Sequence, residues 1–212
     1  MTKKRKILLG VAISLTVVLI LAVTMLLWFT SFNYGFARTV SDEEQALRLQ
    51  LVQQAESWLG AKEWDGSHKA IIDIYNGHTP LAQGYAVSYS DSWCAVFVSA
   101  AAIECGLTAI IPTECGCQRQ IGLFQELGCW IEDDQYIPLP GDIIYYSRSD
   151  SGMGDCIGWS DHAGIVVGTA NGYIKVIEGN FGAAVRYHYL PIDASGIRGF
   201  AVPDYAGAAN NA

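Results

Sequence analysis

Residues 161–180 read DHAGIVVGTANGYIKVIEGN. Gly164–Gly168 and Tyr173–Ile177 are β-rich runs on either side of Asn171-Gly172, a dipeptide that readily supplies the two left-handed residues of a tight hairpin turn. The hairpin makes the sheet antiparallel. Working outward, Asp142–Tyr146 after the turn Pro140-Gly141, Ala183–Leu190 and Ile197–Val202 are further strands. Upstream the texture is helical. Helices first and strands after predict an α+β domain with an antiparallel sheet.

Ser41 opens the first helix of that domain. Ser41 and Glu44 fit a capping box, and Asp42, Glu43 and Glu44 suit the positive end of the helix dipole. Leu47, Leu51, Ala55, Trp58 and Leu59 fall on one helical stripe ahead of a stop at Gly60. A short helix is expected near Lys69–Tyr75, with a turn at Asn76-Gly77. Ser92 then reads as the cap of Trp93–Cys105, WCAVFVSAAAIEC, which Gly106 ends. Apolar on every side, it is a buried helix, too short to span a membrane. Cys117–Leu127 is a further short helix.

Cys94 falls in the first turn of the buried helix. Free N–H groups and the dipole there favour an anion, which lowers a thiol pKa and yields the nucleophilic thiolate. The Cys94 N–H also points to where an oxyanion would form. His162 begins the strand DHAGIVVG, and the chain returns through YIKVIEGN. Across a hairpin, residues of equal parity share a face. A three-residue loop sets His162 opposite Asn180, and a five-residue loop sets it opposite Glu178. A strict two-residue Asn-Gly turn sets it opposite Phe181. Either polar residue would hold one imidazole nitrogen while the other faces the thiol, as in nucleophile–base–orienter triads.

Four segments resemble the CHAP family of cysteine, histidine-dependent amidohydrolases and peptidases, within the papain-like fold. They are SWCAVFVSAA around Cys94, PLPGDIIYYS at Pro138–Ser147, SDHAGIVVG around His162, and VIEGN at Val176–Asn180. The likeness spans about Ala46 to Tyr205. It implies a papain-like cysteine hydrolase that cleaves amide bonds of bacterial peptidoglycan without a metal or organic cofactor. It casts Cys94 as nucleophile, His162 as general base, and Glu178 and Asn180 as the groups that orient and polarise the histidine. Asp142 is then structural, setting a tight turn. Tyr89 is a candidate for the second oxyanion donor.

The chain has 212 residues, 51% hydrophobic and 16% charged, which argues against disorder. Its 13 basic residues, less the four at Lys3, Lys4, Arg5 and Lys6, leave nine against 21 acidic. So acidic a body excludes a general nucleic-acid binder. From Ile7 to Phe29 no residue is charged, and about 20 apolar residues span a bilayer. That length favours a retained anchor over a secretory signal cleaved near Gly35-Phe36-Ala37. The basic cluster would stay cytoplasmic. The expected organisation is a basic segment (1–6), a transmembrane helix in the lipid bilayer (7–29), a linker (30–40), the hydrolase domain (41–206) and a tail (207–212). The expected location is the cell membrane, single-pass, with the C-terminal domain outside.

Cys115, Cys117 and Cys129 lack zinc-site spacing, and a disulfide among them, Cys105 and Cys156 is a separate expectation. The loop Ser147–Asp155 is only faintly like a calcium loop. Trp93, Tyr145, Tyr146 and Trp159 are groove candidates, with Trp93 and Tyr145 better suited to the core. His68, His78 and His188 have no partner pattern and read as surface residues. The leading expectation is thus a membrane-tethered peptidoglycan amidase or endopeptidase, its partners being peptidoglycan and a secretion or conjugation apparatus. A non-catalytic wall-binding module, and an amidase or acyltransferase on another substrate, are the alternatives.

Overall fold

Asn171 and Gly172 both take positive φ, 53° and 78°, and join β3 (His162–Ala170) to β4 (Tyr173–Glu178) through a strict two-residue turn. This is a computed structural model, and it describes residues 3–30, 35–133, 135–147 and 158–210. Around the hairpin lie β1 (Trp130–Ile131), β2 (Ile143–Tyr146), β5 (Arg186–Pro191) and β6 (Ile197–Ala201). They form a six-stranded sheet in the order β1-β6-β2-β3-β4-β5. Every neighbouring pair is antiparallel.

The helices are α1 (Lys3–Thr30), α2 (Asp42–Ser57), α3 (Lys69–Gly77), α4 (Cys94–Glu104), α5 (Cys117–Glu126) and α6 (Tyr205–Asn210). The expected α+β domain with an antiparallel sheet is therefore present. β1 and α6, too short to carry a periodic pattern, are additions to the sequence reading.

The transmembrane part of that reading is corrected. Among the described residues no helix is long and apolar enough to cross a membrane. The membrane-spanning helix over 7–29 and the single-pass location in the cell membrane fall with that finding.

One sheet face carries Ile143, Tyr145, Ala163, Ile165 and Ile177 into the main core. There they meet α4, of which Cys94 to Ala102 are all buried. Leu51, Val52 and Ala55 of α2, Ile71 and Ile72 of α3, and Ile121 and Phe124 of α5 complete it. Each such side chain removed from water contributes about 1.5–3 kcal/mol. The other face holds a smaller cluster that includes Ile144, Val166, Val176 and Phe200.

Half of the capping box forms at α2. Ser41 Oγ accepts from the Glu44 N–H at 3.1 Å, while the Glu44 carboxylate turns to Arg48 at 2.7 Å. Arg48 is the reason: it is buried and also pairs with Asp142 at 2.8 Å. Asp142 in turn accepts from Tyr136 Oη and the Leu139 N–H, both at 2.8 Å. The structural role expected of Asp142 is thus visible as a fully bonded buried carboxylate. At α4 the cap is Trp93, not Ser92, and no side chain caps it. Cys94 is therefore the first residue of the helix.

Candidate active site

The route by which the sheet delivers His162 differs from each simple hairpin. The two-residue turn pairs Ala170 with Tyr173 and Gly168 with Lys175, and then the register shifts. Val166 pairs with Val176 and Ile165 with Ile177, which leaves Val167 as an extra residue in β3. Without this bulge His162 would stand level with Phe181. With it, the same ladder carried to the strand end brings His162 level with Asn180. Glu178 then lies two residues away on the same face.

Alternation puts His162 with Gly164 and Val166, and Glu178 with Val176, on the sheet face turned away from α4. Tyr146 pairs with His162, and His188 with Val176, so both join that face. Gly164 makes the arrangement fit: a Cβ there would stand 2.7 Å from Glu178 Cγ and 2.5 Å from Val176 Cγ1. His162 is the first residue of β3, and its imidazole reaches past the sheet end to the first turn of α4.

There the imidazole and the Cys94 sulfur are near enough for each to shift the other's pKa, while the sulfur's own hydrogen-bond partners are Cys117 Sγ at 3.5 Å and the Asp161 carbonyl oxygen at 3.9 Å. The other side of the ring is held by Glu178, whose Oε2 lies 3.0 Å from His162 Nε2. Glu178 is fully buried. Its Oε1 accepts from Tyr146 Oη at 2.6 Å and lies 2.9 Å from His188 Nδ1. Tyr146 also stacks on His162 at 5.6 Å between ring centroids. With Nε2 engaged by Glu178, Nδ1 is the nitrogen left for the thiol.

The electrostatics follow from these contacts. The Cys94 thiol is held well below its ordinary pKa. The hydrogen bond from Cys117 is the largest cause; burial opposes it, and the bond and charge of His162 add to it. Burial works against the charged form of His162, but Cys94 and Glu178 together raise its pKa to about 10. Burial likewise opposes ionisation of Glu178, yet His162, His188 and Tyr146 bring it to about 2. All three shifts act in one direction: they favour a thiolate–imidazolium pair backed by a carboxylate.

Asn180 is nearby but differently employed. With its amide oriented to satisfy both groups, the nitrogen donates to Glu63 Oε1 and the oxygen accepts from the Trp93 N–H, each at 3.1 Å. Trp93 Nε1 also donates to Glu63 Oε1, at 3.0 Å. Asn180 thus ties the sheet end to the cap of α4, and Glu178 contacts the imidazole.

Three participants escaped the sequence reading. His188, read as a surface residue, contacts Glu178; no sequence signal places it there, because the pairing with Val176 depends on the path of residues 179–185. His68, also read as a surface residue, is buried, with Nε2 3.0 Å from the Tyr89 carbonyl oxygen and Nδ1 3.3 Å from that of Lys62. Cys117, weighed only as a zinc or disulfide candidate, has its sulfur 3.5 Å from that of Cys94.

Cys94, Cys105, Cys115, Cys117 and Cys129 are all free thiols. Cys156 and the calcium-like loop, apart from Ser147, lie outside the described residues. The Tyr89 hydroxyl donates to Asp73 at 2.6 Å, which turns it from the oxyanion role. Trp93 and Tyr145 are fully buried, whereas Trp159 is 74% exposed. A cavity of about 320 Å³ is lined by Tyr146, His162, Glu178, Asn180, Phe181 and His188, among others. A second, of about 220 Å³, reaches Cys94, Cys117 and Trp159.

No family model matches the chain, and no curated protein matches it. The structure is similar to that of NlpC2 from Trichomonas vaginalis, with a TM-score of 0.40, 21% identity and 80% of this chain covered. It is similar to an NlpC/P60 family protein from Bacillus cereus ATCC 10987, at 0.40, 14% and 73%, and to Ly7917, at 0.37, 12% and 74%. The matches span 49%, 39% and 62% of those three chains. The functional reading therefore rests on the side chains of the site, and the likeness to CHAP proteins rests on the four sequence segments alone.

Proposed function

We propose that the protein is a cysteine amidohydrolase or peptidase that cuts amide bonds of peptidoglycan. The observation that carries this reading is His162, 3.0 Å from the buried Glu178 and near enough to Cys94 that each shifts the other's pKa. A binding module has no use for a thiolate–imidazolium pair held by a carboxylate. The substrate class comes from the resemblance of the four segments to the CHAP family.

In the first half-reaction the Cys94 thiolate attacks the amide carbonyl carbon. The N–H groups at the start of α4, which have no partner within the helix, stabilise the oxyanion. His162 gives its proton to the leaving nitrogen as the C–N bond breaks, leaving a thioester. Water then attacks the thioester while His162 takes its proton, and the acid and the thiolate are released. Glu178 keeps one ring nitrogen engaged and stabilises the imidazolium throughout.

The test is digestion of purified sacculi by the full chain, with the fragments analysed by mass spectrometry. Soluble fragments bearing new amine and carboxyl ends are expected, and none from Cys94→Ala. Intact sacculi despite rapid labelling of Cys94 by a thiol probe would overturn the substrate, and digestion by the alanine variant would overturn the mechanism.

A further inference from the structure

The Cys94 sulfur has a second thiol for a neighbour, and that neighbour is built in. Cys117 is the first residue of α5 as Cys94 is of α4, both residues are buried, and their sulfurs are 3.5 Å apart. Buried polar contacts fix α5 against α4. Gln120 Nε2 donates to the Pro112 carbonyl at 2.8 Å and to Ser99 Oγ at 3.3 Å. Ser99 Oγ also donates to the Glu114 carbonyl at 2.7 Å, and Tyr145 Oη donates to Gln120 Oε1 at 2.8 Å. The thiol pair borders the 220 Å³ cavity, through which a small oxidant or reductant reaches it. Closing 3.5 Å to the ~2.05 Å of a disulfide takes side-chain rotation and a small shift of two adjacent helix starts.

We propose that Cys117 is a resolving thiol for Cys94, and that peroxide converts the pair to a disulfide that reversibly closes the active site. This regulation rests on the reading of Cys94 as the nucleophile. The Cys94 thiolate attacks one oxygen of hydrogen peroxide; the O–O bond breaks, and a sulfenic acid and hydroxide result. The Cys117 sulfur, giving up its proton, then attacks the sulfenic sulfur. The S–S bond forms, the S–O bond breaks, and the hydroxide and protons leave as water. Two electrons pass from the two thiols to the peroxide. A small dithiol returns them by exchange and restores both thiols.

The pair is ordered for this sequence. In the resting site, donating to Cys94 holds the Cys117 thiol well above its ordinary pKa, and burial and the charge of Cys94 act the same way. Oxidation of Cys94 removes that charge and so eases loss of the Cys117 proton, although burial and Asp161 still act against it. Without Cys117 the sulfenic acid would be open to irreversible oxidation.

The experiment exposes the full chain to hydrogen peroxide, blocks free thiols, and cleaves after Glu104 and Glu114. The cut separates Cys94 from the peptide of residues 115–126. The expected product is one cross-linked species, lighter by two hydrogens than its two peptides, with iodoacetamide labelling of Cys94 restored by dithiothreitol. Cys117→Ser and Cys117→Ala should lose both the cross-link and the recovery and accumulate the sulfinic acid. Cys115→Ser should keep both. Sulfinic acid forming equally fast with and without Cys117, or a cross-link that follows Cys115, would overturn the proposal. The readout is thiol chemistry, so a chain that forms the disulfide but leaves sacculi intact would count against the substrate alone.

Discussion

Glu178 Oε2 lies 3.0 Å from His162 Nε2, and the other carboxylate oxygen is shared by His188 and Tyr146. A buried carboxylate with one oxygen for the imidazole and one for its own supports is a rigid hydrogen-bonded brace. It anchors one nitrogen of the ring and stabilises its charge.

Replacing Cys94 by Ala should remove turnover, by about a thousandfold or more, because the group that forms the thioester is gone. The change trims one sulfur from a packed site, so far-UV circular dichroism should match the parent. Residual digestion at the parent rate would place the nucleophile elsewhere.

The pH profile should be broad, set by the lowered Cys94 and the raised His162. The ion pair exists above the depressed pKa of Cys94 and below about 10, where His162 loses its proton. Iodoacetamide labelling of Cys94 should stay fast at mildly acidic pH, where an ordinary thiol is protonated. The stability effects have opposite signs. His162, raised above its ordinary 6.5, stabilises the fold fully below that value, and its contribution is lost as pH rises through about 10. Glu178, lowered from 4.5, stabilises it above that value, and its contribution is lost as pH falls through about 2. A thermal-unfolding series across pH reads both limbs.

Glu178→Gln keeps the shape but removes the charge. It should slow turnover by about 10–100-fold, the loss of one charge-assisted hydrogen bond. It should also move the alkaline limb to lower pH, since Glu178 is among the causes that raise His162. His188→Ala should act in the same direction and less severely. An alkaline limb unmoved by either variant would separate Glu178 from the imidazole in solution.

Gly164→Ala tests the packing that lets Glu178 lie flat. The added methyl meets Glu178 Cγ at 2.7 Å and Val176 Cγ1 at 2.5 Å. Overpacking of this kind costs about 1–3 kcal/mol, so both the melting temperature and turnover should fall. Turnover intact after a measured loss of stability would show that Glu178 has room to move.

Asp142→Ala removes the buried one of the two carboxylates that pair with Arg48 and leaves only Glu44. Loss of one member of a buried pair costs about 3–5 kcal/mol, a large share of a domain's stability. The urea midpoint should drop sharply while Cys94 stays reactive in whatever fraction remains folded.

Local rules of sequence carried far. The almost wholly apolar run after Trp93 announced a buried helix, and Asn171-Gly172 announced the hairpin. What they left open was parity: three loop lengths gave three partners for His162, and the deciding feature, the extra Val167 in β3, has no signature in a run of valines. Cys117 and His188 were hidden for another reason. Their roles arise where separate elements meet: α5 against α4, and β5 against β4. No spacing within either segment encodes such a meeting.

The burial of α4 has a consequence for how the protein changes over time. A helix enclosed by protein from Cys94 to Ala102 gives its first residue little latitude, so packing constrains that position whatever chemistry is done there. The rim is under no such constraint. Trp159 and Phe181 are exposed, at 74% and 38%, and substitutions at surface positions shift stability by only about 0.5 kcal/mol. Changes at the rim can thus accumulate at little cost to the packing that fixes Cys94.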